Sequence, residues 1–241
     1  MTAIDTREKT RLAYSEDGDG YDAHRLEDVR GRLLSGHDQK LFATFMPFVP
    51  VDLPTLEVGA GTGRFTLPLL EYGRAVLATD INEEMLRLLR TKVGSDYEGL
   101  CRVQVEDAFS LSFSGNEFGF LVSFHFIPRL LSVEDQEAAL SELCRVVSPG
   151  GYLFFNFRNS TSLYRLLYRG HAISSKSVLK ILQENGFSVV RMRGKHLISR
   201  KLIDLLPRWA RSPLAKMDAL LWSILPSLAW DVFVLAKNTR D

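Results

Sequence analysis

Short apolar runs alternate with amphipathic segments through the middle of the chain. Five runs are rich in β-branched or aromatic residues, as strands are: Thr55–Val58, Ala75–Thr79, Cys101–Val105, Phe118–Ser123 and Tyr152–Phe157. Helical periodicity occupies the intervals Arg64–Tyr72, Glu83–Val93 and Val133–Val147. Because strands and helices that alternate at this spacing form βαβ units, we expect an α/β fold with a doubly wound, mostly parallel sheet of largely buried strands. Pro149-Gly-Gly151 predicts a tight turn into the fifth strand.

The pattern continues on both sides of this core. Residues 21–48 predict two helices, and a helix capped by Ser174 or Ser175 leads to a sixth strand at Phe187–Val190. Val232–Ala236 predicts the seventh strand. We therefore expect three parts: an N-terminal arm with helices that covers a ligand (1–50), a core (51–194 and 229–241), and a helical insertion suited to capping a substrate (195–228).

The composition and the N-terminal sequence indicate the cellular compartment. The 241 residues are 46% hydrophobic and 24% charged, which is ordinary for a globular domain. The N-terminus lacks the apolar core of a secretory signal, and the apolar stretch 219–230 is too short and too interrupted to span a bilayer. We therefore expect a cytoplasmic protein. Cys101 and Cys144 lie inside patterned elements, which favours buried thiols over a disulfide or a metal pair, and we expect no metal site.

The charge is distributed unevenly along the chain. The net charge is +1, yet residues 158–216 hold 13 Lys or Arg against two acidic residues. Leucine and tryptophan are interleaved with these basic residues, which favours a partly lipophilic, anionic acceptor or a peripheral contact with the anionic inner face of a membrane. RNA is a weaker alternative, because the aromatic residues are bunched with leucines rather than spread for stacking. A solvated basic face over packed leucines suits the pattern equally well.

A glycine-rich loop follows the first predicted strand. The chain reads Glu57-Val-Gly-Ala-Gly-Thr-Gly63 and then enters a helix, so its glycines allow a ligand close to the backbone beside a helix N-terminus. A dinucleotide motif counted from Gly59 would place its last glycine where Arg64 stands, which disfavours the alternative of an NAD-dependent oxidoreductase. Glu57 would repel a diphosphate and attract an ammonium group, so a zwitterionic ligand fits better.

Two further acids follow the next two predicted strands. Asp80 ends the second strand, where a carboxylate can accept hydrogen bonds from both hydroxyls of a ribose, although it could also cap the next helix. Asp107 follows the third strand, where it could accept a hydrogen bond from an adenine amino group or simply be solvated. Three acids after three successive strands favour a nucleoside-bearing ligand at one sheet edge.

This ordered set of residues resembles class I S-adenosylmethionine-dependent methyltransferases. It is most similar to the small-molecule group that includes the ubiquinone and menaquinone methyltransferases, over about residues 50–190. The resemblance implies a seven-stranded, Rossmann-like methyltransferase fold, with S-adenosyl-L-methionine as the cofactor and S-adenosyl-L-homocysteine as the product. The residues that it implies for cofactor binding are Tyr21, Glu57, Gly59, Ala60, Gly61, Gly63, Asp80, Ile81, Met85, Asp107, Ala108, Ser123 and Phe124.

The resemblance also implies a division of labour among these residues. The loop from Glu57 to Gly63 would line the methionine part, Asp80 would hold the ribose, and Ile81 and Met85 would flank the adenine. Asp107 and the backbone of Ala108 would read the adenine edge, whereas Ser123 and Phe124 would face the methyl group and the acceptor. Tyr21 lies in a segment similar to the one that closes over the cofactor in the family.

His125 is the candidate catalytic residue, because it lies just past the fourth strand, at the edge where open α/β sheets bind ligands. A packed histidine between Phe124 and Phe126 is the competing interpretation. The predicted function is direct methyl transfer to a small or lipid-like, anionic acceptor. An RNA-modifying methyltransferase and a non-catalytic cofactor-binding module stay as alternatives, and the sequence leaves the acceptor atom and the oligomeric state open.

Overall fold

Seven strands form one sheet in the computed structural model, which describes residues 29–162, 164–165, 170–195 and 225–240. The strands are β1 (Thr55–Val58), β2 (Val76–Asp80), β3 (Cys101–Val105), β4 (Phe118–Ser123), β5 (Val147–Arg158), β6 (Phe187–Lys195) and β7 (Asp231–Asn238). The helices are α1 (Val29–Ala43), α2 (Thr66–Glu71), α3 (Glu83–Val93), α4 (Val133–Val146) and α5 (Ser175–Glu184). Short 3-10 helices cover Met46–Phe48, Ile127–Arg129 and Pro226–Leu228.

The sheet order is β3-β2-β1-β4-β5-β7-β6, and the strands from β1 to β5 pair in parallel. The predicted doubly wound, mostly parallel seven-stranded sheet is confirmed. β7 runs antiparallel between β5 and β6, so its first residue lies at the same edge as the last residues of its two neighbours. Asp231 therefore pairs in register with Arg158 on one side and with Lys195 on the other.

Apolar side chains cover both faces of the sheet, as βαβ crossovers require. Along β4, Leu121 joins a buried cluster with residues of α4 and α5, whereas Phe120 and Val122 join a second cluster with residues of α1, α2 and α3. Phe42 of α1 and Phe45, which follows α1, are almost completely buried in this second cluster. The N-terminal helix is thus an integral part of the packed core.

Several element bounds differ from the prediction. β5 begins at Val147, and Pro149–Gly151 form an irregularity inside it, because Phe118 pairs with Val147 and Phe120 with Tyr152. A Cβ on Gly151 would lie 2.8 Å from the Ser148 carbonyl oxygen, so only glycine fits this tight course.

The outer strands and the flanking segments also differ in part. β6 runs on to Lys195, inside the range assigned to the insertion, because it pairs with β7 along its length. β3 is an edge strand and is largely exposed rather than buried. Cys144 is a buried free thiol, whereas Cys101 is half-buried. Residues 1–28, including Tyr21, and most of the insertion lie outside the described residues. Within the described part of the chain, no helix has the length and apolarity to cross a membrane.

Candidate active site

The glycine-rich loop between β1 and α2 is bound back onto the neighbouring strand. The amides of Gly59 and Ala60 both donate to the Thr79 carbonyl oxygen, at 2.9 Å each. Gly59 and Gly63 have φ angles of 76° and 89°, in the region that favours glycine. A Cβ on Gly59 would lie 2.9 Å from Phe126, and a Cβ on Gly63 would collide with Leu89 of α3. Gly59 therefore allows Phe126 close to the loop, while Gly63 allows α3 to pack beneath it.

Asp80 is fixed at the end of β2 by backbone amides. Its Oδ2 accepts a hydrogen bond from the Gly61 amide at 2.9 Å, and its Oδ1 accepts one from the Asn82 amide at 3.0 Å. Burial raises the pKa of Asp80, although these hydrogen bonds oppose the shift. The Ile81 amide adds a further hydrogen bond, and a carboxylate with about four acceptor sites still has room for another donor.

Glu57 lies beneath the loop and is only 2% exposed. Its Oε2 accepts a hydrogen bond from the Thr66 hydroxyl at 2.6 Å. Burial raises the pKa of Glu57 to about 8, and the nearby Asp80 carboxylate adds to the shift. Its carboxyl group therefore holds a proton at neutral pH until a positive charge approaches it.

A cleft opens at the carboxyl edge of β1, β2 and β3. Five residues of the predicted cofactor set line it: Gly59, Asp80, Ile81, Asp107 and Ala108. The Asp107 Oδ1 accepts a hydrogen bond from the Phe109 amide at 2.9 Å, which orients the carboxylate. The lining also includes Glu106 and Phe109 from the segment around the end of β3, and Phe126, Leu130 and Asp135 from the segment between β4 and α4 and the first turn of α4. The structure thus brings these predicted residues to one place.

Other residues of the predicted set lie in the packed core instead of along the cleft. Met85 is buried on α3, with 3% exposed, and Ser123 at the end of β4 is fully buried with no partner for its hydroxyl. Phe124 stacks on Phe65, with ring centroids 3.7 Å apart. Ala60 is also buried, while Gly61 contributes its amide to Asp80.

Two residues, Asn156 and Asp38, hold His125 through three hydrogen bonds. His125 has a φ of 59°, unusual for a residue other than glycine, and its amide donates to the Asn156 Oδ1 at 2.6 Å. That bond orients the Asn156 amide, whose Nδ2 then donates to the His125 Nδ1 at 3.3 Å. The Nε2 lies 3.0 Å from the Asp38 Oδ2, so it carries the ring proton. Burial lowers the pKa of His125 to about 4, and the positive charges of Arg64 and Arg129 contribute to the shift.

Asp38 of α1 is the centre of this polar cluster and was missed by sequence reasoning. Besides His125, it binds Arg64 through Oδ2 at 2.7 Å and Lys195 through Oδ1 at 2.8 Å. Burial alone would raise the pKa of Asp38, but the hydrogen bonds and charges of His125 and Lys195 hold it well below its usual range. One carboxylate thus ties α1 to the glycine-rich loop, to the end of β4 and to the end of β6.

Two more polar residues at this edge were also missed. Asn156 is fully buried in β5, and its only sequence signal is a polar residue inside the apolar run Tyr152–Phe157. Asp231 starts β7, and burial raises its pKa to about 6, although the charges of Lys195 and Arg158 oppose the shift. The sequence alone does not link these positions to the site. The strand order places Asn156 beside His125 and Asp231 beside Lys195 at the same edge of the sheet.

Residues 56–155, which run from β1 into β5, match the family model described as a methyltransferase domain. The chain contains a methyltransferase domain. The matched residues of this methyltransferase domain include the glycine-rich loop, Asp80, Asp107 and His125. Asp38, Lys195 and Asp231 lie outside the match, in the parts of the chain that flank the domain.

Relatives of known name match part of the chain. Over 175 residues the chain is 31% identical to the malonyl-[acyl-carrier protein] O-methyltransferase of Methylococcus capsulatus, covering 66% of this chain and 60% of that protein. Over 156 residues it is 34% identical to the demethylmenaquinone methyltransferase of Bacteroides fragilis, covering 56% of this chain and 60% of that protein. The chain thus spans less than two thirds of the length of these relatives.

The methyltransferase fold also resembles solved structures along most of its length. Magnesium protoporphyrin IX methyltransferase from Synechocystis, crystallised with S-adenosyl-L-homocysteine, has a TM-score of 0.62 and 14% identity. The similarity covers 94% of this chain and 99% of that chain. At this level of identity the likeness concerns the fold alone.

Proposed function

We propose that the protein binds S-adenosyl-L-methionine in the cleft and transfers its methyl group to a small or lipid-like acceptor that carries negative charge. The observation that carries the proposal is the convergence of Gly59, Asp80 and Asp107, which follow three adjacent strands, on one cleft. Ligands of open α/β sheets bind at this edge.

The residues around the cleft suit the chemical groups of this cofactor. The carboxylates of Asp80 and Asp107 accept hydrogen bonds, which ribose hydroxyls and an adenine amino group donate. Glu57 offers a buried carboxyl group to an ammonium group, directly or through water. S-adenosyl-L-homocysteine shares these groups, and we propose that it occupies the same cleft. Tyr21, Met85, Ser123 and Phe124 stay predictions of cofactor contact.

The chain's own part in the reaction is alignment and, for a protonated acceptor, removal of a proton. When bound, the cofactor supplies a methyl group on a positively charged sulfur that an acceptor can displace directly. We propose His125 as the base. Its ring proton is held by Asp38, and the 3.3 Å contact of its Nδ1 with Asn156 is long enough to be exchanged for an acceptor proton. Asp38 and Asn156 are then positioning residues.

Cations at the acceptor side support a negatively charged acceptor. Arg64 and Lys195 both bind Asp38 beside His125, and Arg158 lies next to Asp231 in the strand register. The two named relatives are a malonyl-[acyl-carrier protein] O-methyltransferase and a demethylmenaquinone methyltransferase. We propose an acceptor from the same chemical range, either an acid or a quinone-like molecule.

We further propose that the basic segment contacts the anionic inner face of a membrane from the cytoplasmic side. Its support is the composition of residues 158–216. Residues 196–216 of this segment lie outside the described residues. Each Lys or Arg near an anionic surface contributes about 1 kcal/mol to binding. This segment would hold a lipophilic acceptor close to the edge where β6 ends.

Label transfer tests the proposed function. The pure protein is incubated with methyl-labelled S-adenosyl-L-methionine and a fractionated cell extract, and we expect the label in the small-molecule or lipid fraction. Label found only in RNA or only in protein would show that the proposed acceptor class is wrong and that the acceptor is that macromolecule. If calorimetry detects no binding of the cofactor or its product, the proposal fails, and cofactor binding without label in any fraction would indicate a binding module.

A further inference from the structure

The cleft contains a carboxylate on the first turn of α4. Asp135 is the third residue of α4, and the Ser132 hydroxyl accepts a hydrogen bond from its amide at 2.9 Å. In a capping box the acidic side chain returns a bond to the amide of the cap residue. Among the described residues, the Asp135 carboxylate makes no such bond, nor any other hydrogen bond or ion pair. The helix therefore begins without help from this side chain.

Asp135 lies where a ligand in the cleft can reach it. The residue is only 5% exposed, yet it lines the cleft. The other acids of the cleft each already accept hydrogen bonds from the protein: Asp80 from the Gly61 and Asn82 amides, Asp107 from the Phe109 amide and Glu106 from the Ser112 amide. The Asp135 oxygens are not among the enclosed polar atoms that lack a partner, so they are accessible from the cleft, and a ligand that displaces their water has to offer a donor in its place. The cleft thus presents a vacant acceptor to whatever binds in it.

The surroundings of Asp135 indicate which donor it meets. Asp80, at the end of β2, is the acceptor suited to ribose hydroxyls. The lining of the cleft also includes Ala108 and Leu130, two apolar residues that suit the face of a flat ring, and Asp107 and Asp135, which come from the segments after β3 and after β4. An exocyclic amino group carries two N–H donors, whereas a carbonyl at the same ring position would be repelled by a carboxylate.

We propose that Asp135 binds the cofactor by accepting a hydrogen bond from its adenine amino group, together with Asp107, and so selects a 6-aminopurine. This inference rests on the proposed function, because it requires the cofactor to occupy the cleft. Asp135 is a specificity-determining residue that touches the base, remote from the cations and His125 that face the acceptor.

The test measures binding of S-adenosyl-L-homocysteine and of S-inosyl-L-homocysteine, which carries a carbonyl in place of the amino group. We expect Asp135→Ala to weaken binding of the adenine compound by about 10-fold or more, since a hydrogen bond to a charged group is lost. Asp135→Asn can donate to a carbonyl, so its preference for adenine over hypoxanthine should fall by about 10-fold. Glu134→Gln is the matched control, because Glu134 is exposed on the same first turn.

Two results would overturn the inference. Asp135→Asn and Asp135→Ala could both keep the wild-type preference and affinity, while Asp80→Ala weakens binding. Alternatively, Asp135→Ala could lower the melting temperature of the free protein with unchanged affinity, which would indicate a helix cap. Failure of the proposed function is distinguishable, since the wild-type protein would then bind neither compound.

Discussion

At the scale of single residues, Glu57 couples cofactor binding to a proton. Burial raises the pKa of Glu57 to about 8, so its carboxyl group is mostly protonated at pH 7 in the free protein. An ammonium group bound nearby favours the carboxylate, and binding should then release close to one proton at pH 7. Cofactor affinity should rise as the pH approaches 8. Calorimetry in two buffers of different ionisation enthalpy measures the release, and Glu57→Gln should abolish it.

The same raised pKa has a consequence for folding. Between about pH 4.5 and pH 8 the folded state holds the Glu57 proton more tightly than the unfolded state, so this group costs more stability as the pH rises. Glu57→Gln should therefore reduce the loss of stability toward pH 8 in denaturant titrations. A variant that lost stability equally at all pH values would show that the Thr66 hydrogen bond matters more than the charge.

His125 makes a second prediction at this scale. If it is the base for a protonated acceptor, His125→Ala should lower kcat by about 10²–10⁴-fold and change the dissociation constant of the cofactor little. Asn156→Ala should lower kcat in the same direction, because the ring would lose its orientation. Rates with the acceptor found by label transfer, compared with calorimetry of the product, separate the two effects. An unchanged kcat in folded His125→Ala protein would show that His125 is a packed histidine and not the base.

At the scale of elements, Gly63 decides how closely α3 packs beneath the loop. A Cβ there would collide with Leu89, and its φ of 89° disfavours other residues. Gly63→Ala should lower the free energy of unfolding by about 2–5 kcal/mol. Gly61 also has a positive φ, of 55°, but open space at its Cβ, so Gly61→Ala is the matched control and should cost about 1–2 kcal/mol. In a Leu89→Ala background the difference between the two should shrink, and an unchanged difference would contradict the packing explanation.

The attachment of α1 to the sheet makes the protein sensitive to acid. The folded state resists protonation of His125, whose pKa is about 4, whereas the unfolded chain binds that proton near pH 6.5. Stability should therefore fall as the pH drops from about 6.5 to 4, by up to about 3 kcal/mol. The low pKa of Asp38 extends the loss below pH 4, since its carboxylate must stay charged to bind Lys195 and Arg64.

Denaturant titration between pH 4 and 7.5 measures this dependence. His125→Asn should flatten the fall above pH 4, and Asp38→Asn should lower stability at pH 7, where the carboxylate binds two cations. His37→Asn is the matched control, because His37 is exposed on the same helix as Asp38. If the free energy of unfolding of His125→Asn fell equally steeply with pH, residues other than His125 would cause the acid sensitivity.

At the scale of the whole molecule, the uneven charge predicts a contact with anionic lipid. Binding to anionic vesicles but not to neutral ones, weakened by salt, is the expected result. Arg208→Glu with Arg211→Glu should reduce it strongly. Arg102→Glu with Lys180→Glu makes the same change in net charge at exposed positions on β3 and α5, and should reduce it less. Equal loss in both pairs would indicate a general effect of charge, without a docking segment.

Much of the fold and part of the cleft follow from local pattern. Hydrophobic periodicity arises because each strand or helix buries one or both of its faces, so the central strands and helices were predictable to within a few residues. The glycine-rich loop, Asp80 and Asp107 each follow a strand, and parallel strands bring their carboxyl ends to one edge. Of the cleft residues, Gly59, Asp80 and Asp107 were therefore predicted from their order along the chain, whereas Ile81 and Ala108 were implied by the resemblance to methyltransferases.

The rest depended on contacts between residues far apart in the sequence. Asp38 meets His125 across 87 positions and Lys195 across 157, so no local pattern links them. The reversed β7 places Asp231 between Arg158 and Lys195, a pairing set by strand order. Ser132 and Asp135 have the spacing of a capping box, but α4 packs with the Asp135 side chain against the cleft. Periodicity states which residues are buried, whereas only the packed sheet decides what a buried polar group can reach.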